Sequence, residues 1–365
     1  MSRQTAIRCS VIRGGTSKGL YFHAEDLPED RETRDAVLLA AMGSPDEREI
    51  DGMGGGHPLT SKVAVVTPSK RENADLDYLF LQVWPDRAEV ADNQNCGNLL
   101  AGVGPFALEE GLIKRTGDVT PVRIWMENTD SLAVAQVPTP EGYVEYEGDA
   151  HIDGVPRAHA PIPIEFVDVA GSTCGALLPT GRALDTVGGV AVTCIDNGMP
   201  VVCVAAADLG LRGDESPAEI ESNADACARV EALRLEAGQL MNLGDVTNKT
   251  VPKVSLLSSA TQGGALTTRT FIPQRVHEAI GVLGAVSVAT ACLIPGSVAH
   301  GLTDLSTFDG TRSLDIEHPT GYFTVDLDVD VVGNEVTIRR CALLRTARLL
   351  MRGEVFVPHA VWEGR

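Results

Sequence analysis

At 365 residues the chain is too long for one small core, and its 44% hydrophobic content suits a globular interior, not a disordered chain. Fifty acidic against 30 basic residues leave a formal charge of −20, which disfavours phosphate backbones and anionic membranes as partners. Aromatic residues, at 4%, are too few for a base-stacking surface.

The N-terminus, MSRQTAIRCSVIRGG, has no apolar h-region, and no run of about 18 apolar residues follows it. The eight cysteines are scattered, with no CxxC and no Cys/His metal spacing, so a reducing compartment is expected and a cytoplasmic location with it. In chain order, IRCSVI, SKVAVVT, DYLFLQVW, VRIWMEN and SLAVAQV read as strands, because β-branched and aromatic residues fill them between turn formers. Arg31–Met42 reads as an amphipathic helix. Residues 98–110 are apolar nearly all round and predict a buried helix, kinked or restarted at Pro105.

VAVTCIDNGMPVVCVAAADLG reads as strand, turn, strand, and Ser216–Met241 as a surface helix or helix pair. From His277, HEAIGVLGAVSVATACLI predicts a second buried helix. Each half thus offers a Lys-headed strand (TSKVAVV and VPKVSLLSS), a later strand and an apolar helix, which suggests a duplication. The expected domains are residues 1–180 and 181–365, with the closing stretch GEVFVPHAVW able to return to the first. A ligand site is expected in the cleft between them.

Three Gly-rich segments carry the chemistry: RGGTSKG, DGMGGGHPLTSK and NQNCGN. None has the Walker A spacing, and GMGGG lacks the dinucleotide GxGxxG context, so no nucleotide cofactor and no metal are expected. NCGN places Cys96 before a helix, where unpaired N–H groups favour thiolate and can hold a carboxylate. Most cysteines simply pack as small hydrophobes. The flanking Asn and Gly are cap and turn residues and argue for an accessible thiol.

Lys62 heads an apolar strand, a place usually taken by a solvated edge lysine. The preceding glycines can hold it beside a ligand, as point charge or general base. RGGTSKG supplies Thr16 and Ser17 for anion binding with Arg13 and Lys18 as cations, or else is an ordinary strand-to-strand turn. In the second half the polar run QGGALTTRT contains Arg269, and His277 and His300 flank the second helix.

Together RGGTSKG, IDGMGGGHPLTSKVAVV, QNCGN and LAGVGPFALEEG resemble the PrpF protein family, densely over Arg13–Gly111 and more sparsely beyond. The resemblance implies an α+β, diaminopimelate-epimerase-like fold. Such a fold has two pseudo-symmetric domains, each a β-sheet wrapped around a central helix, with the site in the interdomain cleft. MGSPDEREIDGMGGGHPLTSKVAVV and DYLFLQV look closest to the 4-oxalomesaconate isomerases and tautomerases of aromatic-acid (protocatechuate and gallate) catabolism. The alternatives are 2-methylaconitate cis–trans isomerisation and, from another class, a non-catalytic polycarboxylate-binding protein.

The epimerase parent uses two opposed cysteines; here Cys96 matches the first, and no cysteine starts the second helix. The resemblance implies a lysine near the thiol instead, matching Lys62. Lys62 and Cys96 are therefore the expected catalytic pair. Thr16, Ser17, Ser61, Gly97 and Asn98 would position substrate carboxylates, and Arg269 and His300 would add to them from the second domain. The expected partner is a small polycarboxylate, without nucleic acid, membrane or cofactor, and a homodimer is compatible with the pattern.

Overall fold

The computed structural model describes residues 3–92, 95–167, 169–303, 305, 310–332 and 335–364. The chain forms two compact units, Met1–Glu165 with Leu344–Arg365, and Phe166–Leu343. The first division lies ahead of residue 180 because the segment after 168 is built into the second unit. There the Asp196 carboxylate accepts from the Thr173 and Cys174 N–H groups (2.8 and 2.7 Å), and Cys174 enters that unit's core.

The first unit opens with β1 (Gln4–Gly14), β2 (Ser17–His23), α1 (Arg31–Met42), β3 (Lys62–Pro68) and β4 (Leu76–Val83). It continues through β5 (Val90–Ala91), α2 (Gly97–Leu100), α3 (Val103–Glu109), β6 (Val119–Met126) and β7 (Ser131–Pro138), and β8 (Ile162–Val167) leads onward. The second unit holds β9 (Asp185–Val187), β10 (Val190–Asp196), β11 (Pro200–Ala205), α4 (Pro217–Ser222), α5 (Ala224–Leu240) and β12 (Lys253–Ser259). After these come β13 (Leu266–Phe271), α6 (Val282–Leu293), α7 (Val298–Gly301), β14 (Gly310–His318), β15 (Gly321–Val332) and β16 (Glu335–Arg345). The last strand, β17 (Ala347–Pro358), returns to the first unit and pairs antiparallel with β1 along its whole length.

The duplication read in the sequence is present in the strand order. In the first unit β1 pairs antiparallel with β2, β2 parallel with β3, β3 antiparallel with β4, β4 parallel with β6 and β6 antiparallel with β7. In the second unit β10, β11, β12, β13, β14 and β15 repeat the same alternation. A parallel connection needs a crossover, and α1 and the α4–α5 pair fill the equivalent crossovers.

Local chemistry explains the helices. Asp30 caps α1 by accepting from the Thr33 N–H at 2.8 Å, and Gly43 ends it in the left-handed region. Val37, Leu38, Ala41 and Met42 of α1 pack on Ile7, Leu20, Phe22, Val63 and Leu81 of the sheet. Each of these side chains larger than alanine contributes roughly 1.5–3 kcal/mol on burial. Ser216 and Glu219 form a capping box with Pro217 at the first helical position of α4, and Asn223 restarts the chain into α5.

The helix expected over 98–110 is two segments, broken at Ala101–Gly102, ahead of Pro105. Pro105 falls in the first turn of α3, where a missing N–H leaves no intrahelical bond unmade. The second expected central helix starts at Val282 instead of His277, and its residues from Leu283 to Leu293 are all buried.

In the second unit the loop of QGGALTTRT encloses an internal carboxylate. Glu317, fully buried, accepts from the N–H groups of Thr261, Gln262 and Gly264 (2.8, 2.7 and 2.9 Å) and from the Thr267 hydroxyl. Burial alone would raise this carboxyl, but the hydrogen bonds outweigh it and hold the group at about 2. A depressed carboxyl stabilises the fold above its unfolded pKa, and that contribution is lost as pH falls through the folded value. Glu317→Gln is therefore expected to lower stability at pH 7 by about 2 kcal/mol. In urea titrations from pH 7 downward, the gap to the parent should narrow below about pH 4.3, the ordinary glutamate value, and close near the folded one.

Candidate functional site

Side chains alternate across a strand, and this sorts the first unit's residues. Leu20 and Phe22 of β2, Val63 and Val65 of β3, and Leu81 and Val83 of β4 face α1. Their neighbours Ser17, Gly19, Tyr21, Lys62, Tyr78, Phe80 and Gln82 therefore lie on the opposite face, where α2 begins. The Tyr21 hydroxyl donates to the Leu99 carbonyl at 2.5 Å, and the Tyr78 hydroxyl to the Cys96 carbonyl at 3.4 Å.

Lys62 is 7% exposed, unlike a solvated edge lysine. Its ammonium donates to Gln82 Oε1 at 2.8 Å and stands 4.9 Å from the centre of the Phe80 ring. Lys62 and Gln82 are register partners across β3 and β4. Just before Lys62, the buried Ser61 donates to the Glu49 carboxylate, and Glu49 Oε2 also accepts from the Gly56 N–H at 2.7 Å. A Cβ at Gly54 would lie 2.2 Å from that carboxylate. The Gly-rich loop is thus wrapped on Glu49, which anchors the backbone that presents Lys62.

Cys96 is the N-cap of α2 and is partly exposed. Its N–H donates to Asn95 Oδ1 at 2.7 Å. Because α2 is one turn long, the dipole behind Cys96 is smaller than a continuous helix would give. Other ionisable groups stand around the thiol. Burial, then the neighbouring Cys96, pushes the Tyr21 and Tyr78 phenols well above their ordinary range. Burial lowers the Arg345 guanidinium to about 10, and Cys96 opposes that shift.

The β1–β2 connection is a two-residue turn at Gly15–Thr16. Asn98 Nδ2 donates to Thr16 Oγ1 at 3.1 Å, joining the turn to the helix start that carries Gly97. Ser17 is 2% exposed, and its hydroxyl meets no hydrogen-bond partner among the described residues. Arg13 points to the returning segment, donating to the Gly15 and Thr346 carbonyls (2.9 and 3.0 Å). Lys18 reaches the Gly-rich loop, its ammonium 3.5 Å from the place of a Cβ at Gly55.

A family model, PrpF protein, matches residues 4–358. The chain belongs to the PrpF family. It is 60% identical over 350 residues to a (4E)-oxalomesaconate Delta-isomerase of Novosphingobium sp. (strain KA1), covering 96% of this chain and 97% of that protein. It is 56% identical to a 4-oxalomesaconate tautomerase of Pseudomonas putida, covering 99% of each. A crystal structure of methylitaconate-delta-isomerase superposes with a TM-score of 0.84 at 34% identity, covering 99% of this chain and 97% of that one. A hydroxyproline epimerase from Agrobacterium vitis superposes with a TM-score of 0.53 at 16% identity, covering 97% and 93%. That likeness speaks for the fold alone, which is the α+β fold of the epimerases.

Within the first unit of this PrpF protein, Thr16, Ser17, Ser61, Lys62, Cys96, Gly97 and Asn98 stand on the β1–β2 turn, the head of β3 and the start of α2. Asn93 and Gln94 of the NQNCGN motif lie outside the described residues. Arg269 and His300 belong to the second unit. The Arg269 guanidinium donates to the Glu215, Thr268 and Asp214 carbonyls, clamping the 214–215 loop to β13. His300 sits in α7, whose N-cap Ser297 accepts from the His300 N–H at 3.0 Å. A cavity of about 360 Å³ in the second unit, lined by Arg212, Asp214 and Ser258 among others, contains no residue singled out from the sequence.

Sequence reading missed Gln82, Glu49 and Arg345. Gln82 follows from strand register, since TSKVAVV and DYLFLQV pair with Lys62 opposite it. Glu49 and Arg345 have no local signal. Gly15 has φ +51°, and a Cβ there would lie 2.1 Å from Asn98 Oδ1. Gly15→Ala is expected to break the Asn98–Thr16 bond and cost about 1–3 kcal/mol of stability, measured by urea unfolding.

Proposed function

We propose that the chain isomerises 4-oxalomesaconate by proton transfer, with Lys62 as the base and Cys96 as its acid/base partner. It is an isomerase of the PrpF family. The observation that carries the substrate is full-length identity of 60% and 56% to two enzymes named for oxalomesaconate. The relatives named for methylitaconate and methylaconitate stand at 37% and 35%.

The chemistry matches the residues. An α-keto acid conjugated to an alkene can lose a proton next to the conjugated system, and the electron pair then spreads into a dienolate. Lys62 takes the proton. Its return at another carbon shifts the double bond, whereas its return at oxygen releases the enol. Developing negative charge needs fixed donors and cations. Ser17, whose buried hydroxyl has no partner among the described residues, Asn98 beside Thr16, and Arg345 near Cys96 supply them. We place the reaction in the cytoplasm, in keeping with eight free cysteines.

Purified protein should change the ultraviolet absorbance of 4-oxalomesaconate with EDTA present, and faster than it turns over 2-methylaconitate. Lys62→Met should reduce kcat by about 100- to 10,000-fold. Solvent deuterium in the product, located by NMR, separates the allylic shift from keto–enol exchange. Absence of turnover with either acid would overturn the proposal and favour a binding protein.

A further inference from the structure

We propose that Gln82 is the positioning residue for Lys62, aiming its nitrogen and supplying a neutral acceptor in place of a carboxylate. This rests on Lys62 being the base in the proton transfer above.

The orientation of the Gln82 amide is determined by its surroundings. The two hydrogens on its Nε2 are shared among three backbone carbonyls, those of Pro58, Ser61 and Val83, at 3.1, 3.0 and 3.1 Å. An amide has one nitrogen and one oxygen, so this leaves Oε1 turned to Lys62 Nζ at 2.8 Å. Gln82 is 2% exposed, so water cannot substitute for these contacts without rearrangement. Two of the three carbonyls lie in the 58–61 stretch leading into β3, so one side chain anchors both the lysine's backbone approach and its ammonium.

The chemical identity of the acceptor matters as much as its place. A buried lysine facing a carboxylate is held as ammonium and loses its use as a base. No described carboxylate forms an ion pair with Lys62. The titratable groups of the surrounding elements include Lys18, Tyr21 and His23 on β2, Asp77 and Tyr78 on β4, Cys96 at the start of α2, His57 in the preceding loop and Glu49 behind Ser61. Glu49 is already bound to Ser61 and Gly56.

The second unit provides an internal comparison. Lys253 heads β12 as Lys62 heads β3, and their parallel partners are Val201 and Gly19. The residue of the second unit matching Gln82 is Ile272, next after Phe271, the partner of Val254. Among the described residues Lys253 has no hydrogen-bond acceptor, and burial, then Arg234, lowers it to about 8. The strand frame is duplicated, and the amide acceptor is present in the first copy alone.

The experiment uses Gln82→Met, which removes the acceptor at similar length, and Gln82→Glu, which makes it a carboxylate. Gln82→Met is expected to lower kcat about a hundredfold with KM nearly unchanged. The acid limb of its kcat/KM profile should move to lower pH, because the ammonium has lost a hydrogen bond. Gln82→Glu should move that limb the other way, upward by roughly one to three units. A merely structural role would not shift the limb in opposite directions.

A substrate-independent readout is the slowly exchanging ¹⁵N ammonium signal of Lys62, assigned by its loss in Lys62→Met and expected to vanish in Gln82→Met. If the parent protein turns over neither acid, the proposed function fails while this signal still judges the contact. Folded variants with parental kcat, pH profile and ammonium signal would overturn the inference. Should Gln82→Met not fold, Gln82→Asn reads the same contact with the amide drawn back by one methylene, and an unchanged profile there counts against it equally.

Discussion

The start of α2 lies so close to the sheet that there is no room between them for a side chain at two positions. A Cβ at Gly14 would stand 2.4 Å from the Asn98 carbonyl oxygen and 3.1 Å from Leu99 Cα. One at Gly19 would stand 2.4 Å from the Lys62 carbonyl oxygen and 3.2 Å from Leu99 Cδ2. At Gly14 the approach is backbone to backbone, and at Gly19 it is the Leu99 side chain that meets the sheet; the closeness lets Asn98 reach Thr16 and lets Tyr21 donate to Leu99. It also brings a partly exposed thiol over the same sheet face that carries a nearly buried lysine. Without it the turn, the strand head and the helix start would each keep their local shape and no longer meet on one sheet face.

Internal carboxylates complete the Gly-rich loops of both units. Glu49 is bound by the Gly56 N–H and the Ser61 hydroxyl, and Glu317 by three loop N–H groups and the Thr267 hydroxyl. A buried charge is tolerated when its lone pairs are hydrogen-bonded, and loop N–H groups need acceptors. Glu317 meets both needs through both oxygens; Glu49 does so through Oε2, while its buried Oε1 has no hydrogen-bond partner among the described residues. The N–H groups of these loops, which in the sequence look ready for a ligand, are in these cases taken by the protein itself. Ser17, the first residue of β2 after the tight turn, is instead one of the buried donors without a partner among the described residues.

The two units share a strand order and differ in what the shared frame carries. At matching places stand Lys62 with Gln82, and Lys253 beside Ile272. The first helix start follows Cys96, whereas the second follows Gly281. The two units therefore share an architecture and differ in the residue that faces the strand-head lysine and in the residue that precedes the helix start. The long reach of β17 back to β1 adds the neighbouring Arg345 and Thr346, the latter holding Gly15 and Arg13.

Much of this was legible in the chain alone, because it depends on neighbours in sequence. β-Branched and aromatic residues between turn formers mark β1, β3, β4, β6 and β7, and Asp30 and Gly43 bound α1 at the expected ends. The motifs around Thr16, Ser61, Lys62 and Cys96 also carry the resemblance to the PrpF family, whose model matches residues 4–358. Strand register, helix breaks and long-range closure were decided by tertiary packing. The break at Ala101–Gly102 belongs to the close approach of α2, the placing of Gln82 opposite Lys62 belongs to β3–β4 pairing, and Glu49 and Arg345 arrive from distant segments. The sequence by itself determined which groups could do the chemistry. Only the folded sheet decided which acceptor the lysine meets, because hydrogen-bond partners are chosen by position in space and not by distance along the chain.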